Sequence, residues 1–362
     1  MIPIAEPWIG EEELKYVTDA VKSGWIAKGD YIQKFEKKCA EFLGVNYAFA
    51  VCSGTAALEV ALRALELDKK DAITSSCSCA ATANGILHAG YNPIFVDISK
   101  DDYNIDVNQI ERHITNKTGV MIPIHLFGQP CNMDPIMEIA KKHNLKVIED
   151  CAQTFGAKYK GKTVGTFGDL ACFSFYANKI LTTGEGGLVS TNNPELAEKI
   201  KLLRNQGQNY PFHHVVYSYN FKITNMQAAI GLGQIEKIKE IIQKRKDNAK
   251  IYFQMLKDVK GLILPKEISG REHNFFSFPL MLKDKSKEEF CHFLEKKGIE
   301  TRPIFCAMSE QPYFKKMFPD YKEKYPVNDE VYSKGFYVSC SPTLKKEEIK
   351  YIVSSIKDGL NV

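Results

Sequence analysis

The chain has 362 residues, 44% of them apolar and 25% charged, and 48 Lys and Arg against 44 Asp and Glu leave a net charge of +4. This is the composition of a globular protein of two or three domains. It excludes a disordered chain, a collagen-like repeat and a small disulfide scaffold, and its charge gives no footing for a nucleic-acid or membrane partner. The ten cysteines are scattered, some inside apolar runs such as Leu170-Ala171-Cys172-Phe173. The opening Met1-Ile2-Pro3-Ile4-Ala5-Glu6 has neither a basic leader nor an apolar core. Reduced thiols and a cytoplasmic location are therefore expected. No segment approaches the roughly 20 apolar residues of a membrane helix.

Glu11 to Ser23 places Leu14, Val17, Ala20 and Val21 at helical spacing, and Tyr31 to Leu43 continues in that style. Ala48 to Val51 is strand-like and passes into a helix from Thr55 to Leu67. Short apolar runs at 92–97, 119–124 and 146–150 read as strands, with a helix from about Asp134 to His143 between the last two. Leu170 to Tyr176 and Gly187 to Ser190 read as two more strands. Continuous apolar strands alternating with helices predict an α/β fold with a mostly parallel sheet covered on both faces. A long helix is expected from about Met226 to Leu256, with a domain boundary in its middle, giving a large domain over 1–238 and a smaller C-terminal α/β domain over 239–362. In the second, a strand (Phe275 to Leu282) and helices (Ser286 to Lys297, Lys346 to Leu360) are expected.

Four features in order carry chemistry. Cys52-Ser53-Gly54-Thr55-Ala56-Ala57 leads a strand into a helix, whose free N–H groups and dipole suit a phosphate; alone it reads more readily as an ordinary helix cap. Ile148-Glu149-Asp150 puts two acids at the carboxyl end of a strand, where open α/β sheets bind ligands. Phe173-Ser174-Phe175-Tyr176-Ala177-Asn178-Lys179 sets a lysine just beyond a strand, ahead of the glycine turn Gly184-Glu185-Gly186-Gly187. Tyr219-Asn220-Phe221-Lys222-Ile223-Thr224-Asn225 opens the long helix, and Asn225 would serve well as its cap. A phosphate cradle, an acid, and a lysine 29 residues after it form the kit for pyridoxal phosphate, which needs a lysine for its aldehyde and an acid beside its pyridine nitrogen. Cys77-x-Cys79 and His213-His214 lack partners at metal-ligand spacing, so no metal is expected.

Carried on these motifs, and on the block SFYANKILTTGEGG at 174–187, the chain resembles the DegT/DnrJ-type sugar aminotransferases over nearly its whole length. The resemblance implies the fold type I architecture of pyridoxal-phosphate transferases, similar to aspartate aminotransferase. Within the family the chain looks most like the GDP-perosamine synthases. That implies L-glutamate as amino donor, carbon 4 of a nucleotide-linked 4-keto-6-deoxyhexose as acceptor, pyridoxamine phosphate between the two halves, and a homodimer with shared active sites. The implied roles are Lys179 as the lysine that bonds the cofactor and shuttles the proton, and Asp150 beside the pyridine nitrogen. Gln153 would lie by the ring hydroxyl, and Ser53, Gly54, Thr55 and Ser174 on the phosphate. Asn225 would reach the neighbouring subunit's cofactor. Trp25, His125, Glu185 and Arg302 would belong to the substrate pocket. A 3-keto sugar aminotransferase, a sugar dehydratase and a non-catalytic regulator are the alternatives. The dehydratases of the family carry histidine at the lysine position, and Lys179 stands against that reading. Three departures stand out: Cys79 where a ring-stacking aromatic is usual, Lys222 for an arginine, and no histidine near Ser309.

Overall fold

A computed structural model describes residues 1–361. Seven strands form the central sheet: Tyr47–Val51, Asp71–Ser75, Asn92–Val96, Thr118–Ile122, Lys146–Asp150, Leu170–Ser174 and Gly187–Thr191. By first residue the order across the sheet is 47, 187, 170, 146, 118, 71, 92. Gly187–Thr191 runs antiparallel to both neighbours, and the remaining pairs are parallel. The mostly parallel α/β sheet expected from the sequence is therefore present, and the carboxyl ends of all the other strands open on one edge.

Side chains alternate across this sheet with the period of two that a strand dictates. Val147 and Phe173 enter one core with Phe35, Phe155 and Phe175. Ile148 and Cys172 enter the opposite core, built on Val60 and Leu62 of the helix Gly54–Leu65. That helix is buried on nearly every side, so its alanine-rich, all-round apolar sequence fits its place.

Among the elements that escaped the sequence reading are the strand Asp71–Ser75 and the helices Ala80–His88 and Pro194–Leu203. Asp71-Ala72-Ile73-Thr74-Ser75 lacks an apolar run, yet it is fully buried, and the Thr74 hydroxyl is satisfied by the Ile122 carbonyl at 2.8 Å. The expected long helix is two, Asn225–Glu236 and Ile238–Leu256, meeting at Lys237. Neither proline nor glycine marks this break. Lys237 instead reaches back to Glu13 at 2.7 Å on the helix Glu11–Lys22.

The C-terminal unit is a four-stranded antiparallel sheet, in the order Leu262–Ile263, Phe278–Leu282, Gly335–Val338, Arg302–Pro303. Its core takes Tyr252 and Leu256 from Ile238–Leu256, Phe290 and Leu294 from Lys287–Lys296, and Ile352 and Ile356 from Lys346–Leu360. The first residues of the chain join it: Ile2 bridges Ile299, and the Ile4 N–H donates to Glu300 at 2.8 Å. Buried Arg245 donates to the Phe276 carbonyl at 2.9 Å and so fixes the approach to the Phe278–Leu282 strand. Among the described residues, no helix is long and apolar enough to cross a membrane.

Candidate active site

Lys179 lies just beyond the carboxyl end of a parallel strand. It follows the Leu170–Ser174 strand in a turn closed by its own N–H on the Tyr176 carbonyl at 2.9 Å. Its ammonium lies 4.9 Å from the centre of the Phe276 ring. Among the described residues it has no hydrogen-bond acceptor, and burial lowers its pKa, opposed by the nearby Cys79 and Asp150. A lysine whose pKa is lowered and which has no ion-pair partner is chemically prepared to act as a nucleophile.

Asp150 ends the Lys146–Asp150 strand and is 3% exposed. Its Oδ2 accepts from the Thr82 hydroxyl at 2.8 Å and its Oδ1 from the Ala152 N–H at 3.1 Å. Burial raises its pKa, and these donors together with Lys179 and His125 oppose the rise. Glu149 faces the other way. It accepts from the N–H groups of Gly165, Phe167 and Gly168 at 2.7–2.9 Å and lies 3.2 Å from His125 Nε2. Burial pushes its pKa up, but these bonds outweigh burial and leave the carboxyl below the usual range.

At the carboxyl end of Tyr47–Val51, the Ser53 hydroxyl caps the helix Gly54–Leu65 by accepting from the Ala56 N–H at 3.1 Å. Ser53 is thus a helix cap in fact, and the N–H groups of Gly54 and Thr55 remain at the open helix end. A Cβ on Gly54 would come within 2.8 Å of Ser174 Cβ, so glycine is what lets the helix start against the next-but-one strand. Ser53, Gly54, Thr55 and Ser174 therefore form one cluster. Gln153 is nearly buried and accepts from the Phe127 N–H at 2.6 Å through its oxygen. Beside Lys179 opens a cleft of about 380 Å³ lined by Ile4, Tyr176, Asn178, Ser277, Arg302 and Tyr337. The Ser277 hydroxyl and the Asn178 side-chain oxygen are buried there without partners. Arg302 is exposed and paired with Glu300 at 2.5 Å.

Two expected site residues make bonds within their own chain. His125 is fully buried; its Nε2 meets Glu149, and its Nδ1 accepts from the Cys131 N–H at 2.9 Å. It braces the sheet and does not line the cleft. Asn225 is neither the cap nor an open amide. Thr224 caps the helix in a reciprocal box with Gln227, while Asn225, 2% exposed, donates to the Trp25 carbonyl at 2.6 Å and accepts from the Tyr31 N–H at 3.1 Å. These two bonds pin residues 25–31 of its own chain and leave the amide one N–H and one lone pair. Trp25 is exposed, and Glu185 is an exposed residue of the glycine turn whose charge reaches Cys52, next to Ser53. Cys79, also exposed, precedes the helix Ala80–His88. Burial dominates the titration of Lys179, Tyr313 and Tyr337, and the Cys79 thiol acts on each, which places it at the cleft.

Sequence reasoning missed Thr82 and the pairing of Glu149 with His125. Glu149, His125 and Cys151 also form the one trio among the described residues with donor atoms close enough for a metal ion, but the imidazole and carboxylate are already engaged with each other and with backbone N–H groups.

A mostly parallel sheet with an unpaired lysine and a buried acid at its carboxyl edge defines a fold type I pyridoxal-phosphate transferase. The chain belongs to the DegT/DnrJ/EryC1/StrS aminotransferase family, which matches residues 7–357. It is 39% identical over 363 residues to the GDP-perosamine synthase of Escherichia coli O157:H7, covering 99% of this chain and 98% of that one. The GDP-perosamine synthase of Vibrio cholerae is 34% identical, with 100% of each chain covered. Among solved structures, Helicobacter pylori PseC, an aminotransferase involved in the biosynthesis of pseudoaminic acid, superposes with a TM-score of 0.95 at 29% identity, covering 99% of both chains. The protein is an aminotransferase, and its cofactor is pyridoxal phosphate. The residues present fit that group: a lysine without a partner, a buried acid, and a glycine-opened helix end beside Ser174.

Proposed function

We propose that this aminotransferase moves the amino group of L-glutamate to carbon 4 of a nucleotide-linked 4-keto-6-deoxyhexose, giving a perosamine- or viosamine-type amino sugar. The observation that carries the transferase reading is the unpartnered Lys179 ammonium close to Asp150. The full-length similarity to GDP-perosamine synthases supports carbon 4 of a nucleotide sugar as the acceptor.

When bound, pyridoxal phosphate supplies the electron sink that lets an amino acid lose its α-proton. The chain supplies the rest. The N–H groups of Gly54 and Thr55, with the hydroxyls of Ser53, Thr55 and Ser174, hold the phosphate at the helix end. Asp150 holds the pyridine nitrogen protonated by its opposite charge. Gln153, whose oxygen is fixed by Phe127, offers its amide nitrogen to the ring hydroxyl. Lys179 takes the proton from the carbon of glutamate and later returns one to the sugar carbon. Its burial-lowered pKa makes the neutral amine accessible for that work. Both substrates carry anionic groups, and Arg302, with Ser277, Asn178 and Tyr337, faces them in the cleft.

We also propose a homodimer. Tyr210, Phe212, Val215, Val216, Tyr217 and Tyr219 stand exposed in one stretch around a short hairpin, Phe212 at 92%. An exposed apolar stretch of this kind marks a protein–protein contact, and a second copy of this chain is its proposed partner.

The experiment is spectroscopic. Glutamate added to the holoenzyme should bleach the yellow cofactor colour, and a nucleotide-linked 4-keto-6-deoxyhexose should restore it. Lys179→Ala should abolish both changes while leaving the fold intact. Normal cycling by that variant would end this reading.

A further inference from the structure

Asp150 is held in place through a hydroxyl that no motif announces. Thr82, 2% exposed, sits in the first turn of Ala80–His88 and donates to Asp150 Oδ2 at 2.8 Å, across 68 residues of sequence. Its Oγ1 lies 2.9 Å from the buried Ser78 hydroxyl, which is also 2.8 Å from the Cys79 carbonyl. A hydroxyl carries one proton and an ionised carboxylate only accepts. The Thr82 proton therefore belongs to Asp150, and the single Ser78 proton is shared between Thr82 Oγ1 and the Cys79 carbonyl, to which it donates at 2.8 Å. With the Ala152 N–H on Oδ1 at 3.1 Å, each carboxylate oxygen is held once and keeps a lone pair free.

We propose that Thr82, supported by Ser78, is a positioning residue of this aminotransferase: its hydroxyl fixes the rotamer of Asp150 and aims the carboxylate's free lone pairs at the pyridine nitrogen of the cofactor. This rests on the reading of Asp150 as the partner of that nitrogen. A carboxylate free to turn about its last torsion would share its time among orientations. Two donors, from a helix on one side and a strand-end turn on the other, leave it one. The same hydroxyl opposes the rise that burial imposes on the pKa of the acid. The other titratable groups whose charge acts on Asp150, or on which its charge acts, are Lys179, His125 and the buried thiols of Cys131, Cys151 and Cys172; its strand neighbour Glu149 turns to the opposite face.

The test compares Thr82→Val, which keeps the shape and removes the hydroxyl, with Thr82→Ser, which keeps the hydroxyl. In apoprotein carrying 13C-labelled aspartate, with the Asp150 signal assigned through Asp150→Asn, the carboxyl should titrate at higher pH in Thr82→Val and at the wild-type pH in Thr82→Ser. In the holoenzyme, Thr82→Val should lower kcat roughly tenfold or more, the loss of a hydrogen bond to a charged group, and shift the 15N signal of the ring nitrogen toward its unprotonated position. Thr82→Ser should recover both. Ser78→Ala should move the Asp150 titration in the same direction by less, and it serves if Thr82→Val does not fold. An unmoved Asp150 titration in Thr82→Val, or no recovery in Thr82→Ser, overturns the proposal. Near-native turnover by Asp150→Asn would instead overturn the reading of Asp150 on which it rests, whatever the apoprotein titration shows.

Discussion

Glu149 and Asp150 are neighbours on one strand and serve opposite faces of the sheet. Glu149 follows Val147 toward the core of Phe155 and Phe173, where three backbone N–H groups and His125 hold it. Asp150 follows Ile148 toward the other face and meets Thr82. The period of the strand thus separates a structural acid from a chemical one.

Removing the two charges should give opposite signatures. Glu149→Gln should lower stability by about 1.5–3 kcal/mol, the value of hydrogen bonds to a charged group. The folded pKa of Glu149 lies below its ordinary 4.5, so its contribution is present above that pH and is lost as pH falls through the folded value. The gap between wild type and Glu149→Gln in urea melts should therefore narrow below pH 4.5. Asp150 has a raised pKa, so its ionised form costs stability at neutral pH, and that cost fades on acidification. Asp150→Asn should be at least as stable as wild type at pH 7 and slower in turnover by orders of magnitude. A destabilised, fully active Asp150→Asn would reverse the assignment.

Asn225→Ala should act within its own chain. It removes the partner of the Trp25 carbonyl and of the Tyr31 N–H, two part-buried bonds worth about 0.5–1.5 kcal/mol each. Limited proteolysis should then cut between residues 23 and 31 sooner than in wild type. Mixed dimers of Asn225→Ala with Lys179→Ala test the expected reach to the other subunit: a role confined to its own chain gives no more activity than the average of the parents. Recovery of a native-like site in the mixture would mean that Asn225 reaches across to the other subunit after all.

Cys79→Phe should slow cofactor loss. Cys79 is exposed at the cleft, whereas Ser78 is buried against Thr82, so a larger side chain at 79 has room. Aromatic stacking contributes about 0.5–1.5 kcal/mol, roughly 2- to 12-fold in affinity. Retention through a desalting column should rise at an unchanged melting temperature. Faster loss with a lowered melting temperature would show overpacking instead.

The aromatic stretch around residue 212 should control assembly. Phe212→Asp with Tyr217→Asp should convert a dimer to a monomer in sedimentation, with circular dichroism unchanged, since both side chains are exposed within the chain. A dimer that survives the double substitution would place the interface elsewhere.

Much of the site was written in short range. Asp150 ends a strand, Lys179 follows one in a turn, and Ser53 caps a helix, so local pattern located all three. Thr224-Asn225-Met226-Gln227 also carried a local signal, the Thr-x-x-Gln of a capping box, and reading it would have moved the cap from Asn225 to Thr224. The contacts that decide the other roles are long-range. A histidine after an apolar strand looks the same whether it lines a cleft or, like His125, pairs with an acid 24 residues on. Thr82 sits among small residues and reveals its partner only when the helix Ala80–His88 is laid beside the strand Lys146–Asp150. The break at Lys237 lacks a breaker residue because a tertiary contact to Glu13 accompanies it.

The central claim is tested most directly by following the nitrogen. The holoenzyme is incubated with 15N-labelled L-glutamate and a panel of GDP-, dTDP- and UDP-linked 4-keto-6-deoxyhexoses, and the products are read by mass and by 15N–13C NMR. The account predicts a labelled amino group on carbon 4 of at least one nucleotide sugar, 2-oxoglutarate in equal amount, and neither product with Lys179→Ala. Label on carbon 3, loss of a sugar hydroxyl without nitrogen transfer, or labelled product from Lys179→Ala would contradict it.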